Sequence, residues 1–373
     1  MVRCAAATLA SVVAVGLGSA LPARAVQPAS GWTIALTPTL SWSRIDGVAA
    51  IAPGDAWAVG AYFTSLSESG PLTLHWDGSS WQIVGSPSSD GSLAAVSAHA
   101  ANDVWAVGTA AASARTLIER WNGASWTIVS SPSPGASDNV LTGVAALSGS
   151  DAWAVGYTQD ASYAYHGLVE HWNGTSWQVA SSPSDAYILT SVTAVSARDV
   201  WAVGYQNDGA PLIEHWDGVR WSIVPGPPSV YGVLQGVAAN STGDVWAVGY
   251  SRNSRNEAVT FVLHWNGSQW NVVPSPNPLH TYCCVALTSV AALSGADVWA
   301  AGYYQDTAAG ARQTLLEHWN GRRWSVVTSP NRAGLNNELR SVAGTAGANV
   351  WATGLSVDAQ GAAQALVLGT PSG

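Results

Sequence analysis

The chain contains no lysine; all 14 of its basic residues are arginine. Schiff-base chemistry and Ser-Lys dyads are therefore excluded. Charged side chains make up only 10% of the 373 residues, while 47% are hydrophobic. Disorder requires the opposite balance, so the chain folds. Cysteine is scarce too: Cys4 lies in an N-terminal apolar stretch, and only Cys283 and Cys284 follow it. Two cysteines cannot staple a chain of this length, so its core comes from packing. Beyond the N-terminus no apolar run reaches the roughly 20 residues of a membrane span. Gly-x-Ser-x-Gly, His-Glu-x-x-His and phosphate-loop motifs are all absent.

The first residues read differently from the rest. A basic start (Met1-Val2-Arg3), an apolar stretch from Ala5 to about Leu21 and the sequence Ala23-Arg24-Ala25 match a secretory signal peptide. Cleavage is expected after Ala25, giving a secreted, extracellular protein whose residues 26–373 form a single domain. Loss of Arg3 and Arg24 leaves 12 Arg against 23 acids, a net charge of −11. Such a balance argues against nucleic acid and anionic membranes as partners.

What is abundant is tryptophan, with 21 residues, and it is periodic. The phrase Asp55-Ala56-Trp57-Ala58-Val59-Gly60 recurs around Trp105, Trp153, Trp201, Trp246, Trp299 and Trp351, at spacings of 48, 48, 48, 45, 53 and 52. Six of the seven are followed by a second phrase of the type His75-Trp76-Asp77-Gly78-Ser79-Ser80-Trp81. Each unit reads as four short strands, here called a to d. Strand a is apolar (Leu141 to Leu147), b is Val-Trp-Ala-Val-Gly, c ends in His-Trp, and d begins at the next Trp. Asp-Gly or Asn-Gly between c and d signals a hairpin with positive φ at both turn positions. A Ser-Pro pair ends most d strands, as at Ser131-Pro132, in keeping with an outer edge. Four strands per 45–53 residues specify an all-β, seven-bladed β-propeller of antiparallel blades. The seventh unit lacks strand d. Gly31-Trp32-Thr33-Ile34 at the other terminus matches Ser80-Trp81-Gln82-Ile83, so residues 31–37 are expected to complete the last blade.

In strand b, Trp153 and Val155 point to one face, and Ala152, Ala154 and Gly156 to the other. A large face set against a neighbour's small face accounts for the repeated tryptophans by packing alone.

An apolar strand ending in Gly, an aromatic-Asp/Asn turn, a Trp and a Pro together resemble a kelch repeat of the galactose-oxidase-like propellers. The resemblance spans essentially the whole of residues 26–373. It departs from that pattern where Gly156-Tyr157 and Gly204-Tyr205 replace a Gly-Gly pair. The Val-Trp-Ala-Val core is also similar to tectonin repeats of lectin-like propellers, whose repeats are shorter. Both resemblances imply a fold more than an activity. Galactose oxidase uses copper with a Tyr-Cys cross-link. Tyr282 beside Cys283 is not that arrangement and no matching His pair is present, so neither a cofactor nor a metal is expected.

The a–b and c–d turns are short and nearly constant, whereas the b–c and d–a loops vary. Binding is expected on the variable b–c/d–a face. The candidates are Tyr157, Tyr205, Tyr250 and Tyr303, which follow strand b in four blades, with His280 and Tyr282 in the longest d–a loop. Cys283 and Cys284 in that loop are expected to form a vicinal disulfide that stiffens it. The repeated His75, His171, His215, His264 and His318 read as scaffold, and the repeated Asp before strand b as an acceptor of turn amides. The leading function is a non-catalytic binding propeller for a protein or glycan ligand. The alternative is an extracellular polysaccharide-acting hydrolase, lyase or oxidase. That alternative calls for unrepeated groups (His99, His166, His280, Asp160, Asp185, Asp208, Glu338) to converge near the axis.

Overall fold

The computed structural model describes residues 31–38, 42–64, 69–110, 114–183, 187–206, 209–228, 230–278, 281–306 and 310–370. The expected signal peptide lies outside them. The described residues form seven four-stranded antiparallel sheets and contain no helix. Blade 1 is Ser43–Ala52, Asp55–Phe63, Ser69–Trp76 and Trp81–Ile83. Blades 2 to 6 repeat the pattern with first strands Ser92–Ala100, Asn139–Ser148, Tyr187–Ser196, Gly232–Ser241 and Thr281–Ser294. Blade 7 contains Asn336–Gly344, Val350–Val357 and Ala363–Gly369. Thr33–Ile34 pairs antiparallel with the last of these, Thr33 opposite Gly369 and Ile34 opposite Leu368. The amide of Ala35 extends the ladder to the Val367 carbonyl at 2.9 Å.

Seven hydrophobic cores result, each straddling two adjacent blades. Between blades 3 and 4, for example, Trp153 and Val155 pack on Val200, Ala202, Leu212 and Trp221. The large-on-small interlock is thus present, with an addition the repeat did not announce. In every blade but the sixth, the strand-b Trp also meets the strand-c and strand-d Trp of the next blade. Trp153 lies 5.0 Å from Trp216 and 5.3 Å from Trp221 between ring centroids, and Trp201 contacts Trp265 and Trp270 alike. An aromatic side chain of this size buries ~200 Å2, worth roughly 5 kcal/mol of transfer free energy. At the blade 6–7 interface the partner comes from the far end of the chain: Trp32, 5% exposed, packs edge-on against Trp299 at 5.4 Å.

The repeated Gly of strand b has a geometric cause within each repeat. Every strand a carries a β-bulge, at Asp46, Ala94, Thr142, Thr190, Gln235, Thr288 and Arg340. The bulge presses a strand-a carbonyl onto strand b, as with Arg44 on Gly60 and Val140 on Gly156. A Cβ there would overlap the carbonyl oxygen in all seven blades.

Two sequence expectations about turns change. In the c–d turns only the Gly has positive φ, for example Gly78 at 93°. The preceding Asp77 or Asn122 instead accepts the amides two and three residues on, at 2.8–2.9 Å. An Asx cap therefore replaces the two-residue turn. Nor do the repeated Asp side chains serve as acceptors of turn amides. Asp55, Asp151, Asp199, Asp244 and Asp297 each accept from the Nε2 of a strand-c His at 2.8–2.9 Å. The His ring stacks on the strand-b Trp of its own blade, at 4.1 Å for His171 on Trp153. In blade 2 Arg120 takes the same place, bonded to Asp103 and lying over Trp105. The repeated histidines are therefore tied into the scaffold.

A buried acid was not anticipated. Glu119, Glu170, Glu214 and Glu317 in strand c are fully buried. Three of them accept from the Ser of the preceding blade's Ser-Pro pair: Ser86 to Glu119 at 2.6 Å, Ser182 to Glu214 at 2.8 Å, and Ser275 to Glu317 at 2.6 Å. Blade 4 ends in Gly226-Pro227, without that Ser, and blade 5 carries Leu263 in place of the Glu. Ser131 turns instead to Thr116 at 2.7 Å, and neither carboxyl oxygen of Glu170 has a partner. Burial pushes Glu170 and Glu317 up to about 8 and Glu214 to about 7.

Two outcomes follow from this packing. Trp32→Ala removes the N-terminal strand's anchor and should lower stability by about 3 kcal/mol; an unchanged unfolding midpoint in denaturant would refute a structural role for that strand. The buried glutamates keep protons in the folded chain that the unfolded chain releases above a pKa of about 4.3. Their contribution to stability is thus full below that pH and declines as pH rises towards about 8. Glu170→Gln should raise the thermal midpoint at pH 8 and have little effect at pH 4. An equal shift at both values contradicts the burial of a protonated acid.

Candidate functional site

Strand a is the innermost strand and strand b leaves towards the variable face, so the end of b and the beginning of a lie at the same mouth of the axis. The seven bulges ring a narrow channel of about 210 Å3. Next to them stand Gly47, Ala95, Gly143, Ser191, Gly236, Ser289 and Ser341, all small. Neighbouring strands approach so closely that a Cβ on Gly236 would sit 2.9 Å from the Cα of Ser289.

The bulge side chains stitch blade to blade. Thr142 Oγ1 donates to the Leu189 carbonyl of blade 4 at 2.9 Å, Thr190 to Leu234 of blade 5 at 3.0 Å, and Thr288 to Leu339 of blade 7 at 2.9 Å. At the seam between last and first blades the stitch is ionic. Arg340 of blade 7 donates to Asp46 of blade 1 at 2.6 Å, and Arg44 Nε to the other oxygen of Asp46 at 2.7 Å. The mouth is consequently two-sided. Blades 7 and 1 carry Arg44, Asp46 and Arg340, and the Arg312–Glu338 ion pair joins blade 6 to blade 7. Blades 3 to 6 present Val140, Ile188, Val233 and Ala286 opposite Tyr157, Tyr205, Tyr250 and Tyr303 in register.

These four tyrosines form an arc. They share the sheet face of the strand-b Trp, so each leans towards the next blade. Tyr205 acts electrostatically on Tyr157, and Tyr250 on Tyr205 and Tyr303. All four are half-buried. Burial is the leading cause raising the hydroxyl pKa of Tyr157, Tyr205 and Tyr303, so these phenols stay protonated donors. Tyr165 packs edge-on against Tyr157 at 5.3 Å. At the other end of the arc, Arg312 lies 4.8 Å over the Tyr303 ring. Residue reading of the repeat missed Tyr163, Tyr165, Tyr187 and Tyr231, because they fall in loops or at strand starts without a repeat position. Tyr163 and Tyr231 are exposed at 72% and 66%. Every tyrosine with a described side chain lies in the half of its blade nearest the b–c and d–a connections. The signal was available in the sequence as residue type: the 20 repeated tryptophans and the tyrosines never exchange places.

Other candidates fare differently. His280 and the side chains of Tyr282 and Cys283 lie outside the described residues, and so does the expected vicinal disulfide. Thr281–Ser294 is strand, so Cys284 sits in the first residues of strand a and not in a loop; it is electrostatically coupled to Tyr303 and Arg312. His166 and Asp160 pair at 3.2 Å within the b–c loop of blade 3. Glu338 is engaged by Arg312, and His99 is exposed at the far end of strand a, near the opposite face. Asp185 and Asp208 lie outside the described residues. Among the described residues no group of three His, Cys, Asp or Glu is placed to hold a metal.

No protein-family model matches the chain, and no curated protein matches it. Solved structures do. YCF48 bound to D1 peptide aligns over 93% of this chain and 98% of its own, at TM-score 0.56 and 16% identity. YCF48 from Cyanidioschyzon merolae aligns over 92% and 98%, at TM-score 0.56 and 15% identity. The GH74 xyloglucanase from Xanthomonas campestris aligns over 86% of this chain and 53% of its own, at TM-score 0.58 and 13% identity. At such identities the likeness is one of fold.

The ionic seam gives a direct test. A double-mutant cycle of Asp46→Asn and Arg340→Gln should return a coupling of about 1 kcal/mol, modest because both side chains keep some water contact. Additive effects would show that the pair does not join blades 7 and 1.

Proposed function

We propose that the chain is a non-catalytic binding propeller that takes a protein or glycan ligand on its b–c/d–a face, across the arc of Tyr157, Tyr205, Tyr250 and Tyr303. The proposal extends to its setting: residues 1–25 direct it out of the cell, and binding is extracellular. One observation carries the reading. Tyrosine gathers at one face while tryptophan fills the interfaces between blades. If both served packing alone, they would mix. A half-buried tyrosine presents an apolar ring with a fixed donor at its tip, which suits the mixed surfaces of peptides and sugars. The small residues that narrow the channel favour a ligand lying across the mouth over one threading it.

Fold neighbours do not choose the ligand. One is bound to a peptide and another is a xyloglucanase, so the architecture hosts both binding and hydrolysis. Binding is preferred because, among the described residues, Glu338 is engaged by Arg312 and Asp46 by two arginines.

Replacing Tyr157, Tyr205, Tyr250 and Tyr303 by Ala tests the arc, with binding partners found by screening the folded chain against glycan and peptide arrays. Each loss is expected to weaken binding several-fold, at about 1 kcal/mol per ring, while the protein still folds. Variants that unfold would make these residues core, and folded variants that bind unchanged would move the site elsewhere.

A further inference from the structure

Apart from the tyrosine arc, the variable face holds a cavity of about 460 Å3 at the seam between blades 7 and 1. Its size falls within the roughly 300–1,000 Å3 typical of small-molecule sites. The end of the N-terminal strand, the start of strand c in blade 7, Trp42 and Arg332 form its wall.

Arg332 is the only charged group in that wall. Its guanidinium donates to Ser356 Oγ at 2.9 Å, Gln364 Oε1 at 3.1 Å and the Ala365 carbonyl at 3.0 Å, all neutral. Among the described residues it makes no ion pair. Arg44, Arg120, Arg312 and Arg340, the other arginines held against the scaffold, each have a carboxylate. A half-buried cation that meets only neutral acceptors keeps its attraction for an anion. Two of its five N–H groups remain for a ligand. The loop that carries it is fixed in advance. Arg332 N–H donates to Asn337 Oδ1 at 3.0 Å, and buried Asn337 returns bonds to the Arg332 and Leu335 carbonyls at 3.0 and 2.8 Å.

Trp42 is the one tryptophan outside the repeat. It has φ of 61°, a left-handed conformation that costs a bulky residue on the order of 1 kcal/mol. The Phe63 amide holds it there through the Trp42 carbonyl at 2.8 Å. The result is a ring 39% exposed at the cavity wall, not inserted between blades.

We propose that this cavity is a subsite for one uronate residue of a glycan, its carboxylate on Arg332 and its ring against Trp42. The aromatic wall and the surrounding neutral polar groups suit a sugar ring. The chain's net charge of −9 disfavours a polyanion, so the ligand carries a single acid at this point. This site uses none of the arc tyrosines and stands or falls separately from them.

Calorimetric titration of the full chain with glucuronate, glucose and N-acetylphenylalanine tests it. Glucuronate should bind at least tenfold more tightly than glucose, the discrimination expected of a charge-assisted pair. Arg332→Gln should reduce glucuronate binding at least tenfold, and Trp42→Ala several-fold. Val219→Ser, at an exposed c–d turn on the opposite face, should leave it unchanged. Arg332→Gln also removes bonds to neighbouring loops, so its fold is checked by thermal unfolding; the exposed Trp42 and the glucose comparison on the unaltered chain do not share that weakness. Equal binding of glucose and glucuronate, tighter binding of N-acetylphenylalanine, no binding of glucuronate, or a folded Arg332→Gln that binds as before would each overturn the proposal.

Discussion

Everything in this molecule depends on how one indole is held. The strand-b Trp has a His or Arg of its own blade on one side in blades 1 to 6 and, in every blade but the sixth, two Trp rings of the next blade on the other. The first contact fixes its orientation, because Asp pins the His. The second joins the blades. A four-stranded blade has no core of its own, since a single sheet must bury its faces against something. Each blade borrows half its core from its neighbour, and the chain gains stability as a ring of interfaces rather than as a sum of domains. The first and last blades then face the same requirement as the others. Trp351 against Trp76 and Trp81, and the Arg340–Asp46 pair, are the devices found at that seam, one apolar and one ionic.

The axis imposes a second constraint. Seven strands converging on one line must come close at their midpoints, so each bulges and each bulge is followed by Gly, Ala or Ser. The bulge in turn forces a Gly on strand b. One geometric demand thus explains two sequence positions that look unrelated in a single repeat. It also leaves one side chain per blade free to face the channel, and there the repeats diverge into Thr, Ala, Gln, Asp and Arg. Thr serves where a hydroxyl can bridge two strands.

The architecture was legible because it is periodic. Seven Trp-Ala-x-Gly phrases and six c–d turns leave little freedom in blade number or strand order. The roles within the repeat were less legible. Nothing in Asp55 or His75 alone says that they bond each other, because they are 20 residues apart and meet only once strands b and c pair. The buried glutamates were missed for a similar reason. A Glu inside an apolar strand reads as solvent-facing until the Ser of the previous blade is seen beside it. The correspondence of Gly226 with Leu263 was visible in the sequence, but only with both blades aligned as neighbours. The tyrosine arc was half legible: its four repeated members were found, while Tyr163, Tyr165 and Tyr231 in the loops were not.

These constraints divide the disc into two halves with different freedom. Towards the a–b and c–d turns, indoles, Asp–His or Asp–Arg pairs and Asx caps fill the repeat positions of blades 1 to 6, so a change there disturbs an interface. Towards the b–c and d–a loops the blades part, strand lengths differ, and tyrosines gather. A site that must adapt to a ligand needs positions that packing does not dictate. Arg332 shows the point most plainly. A cation that gained its position through scaffold stability would have found an acid, as Arg120 found Asp103 and Arg340 found Asp46. Desolvation in this wall lowers its pKa, a cost borne without a compensating charge. Such a cost persists where something outside the fold supplies the missing anion.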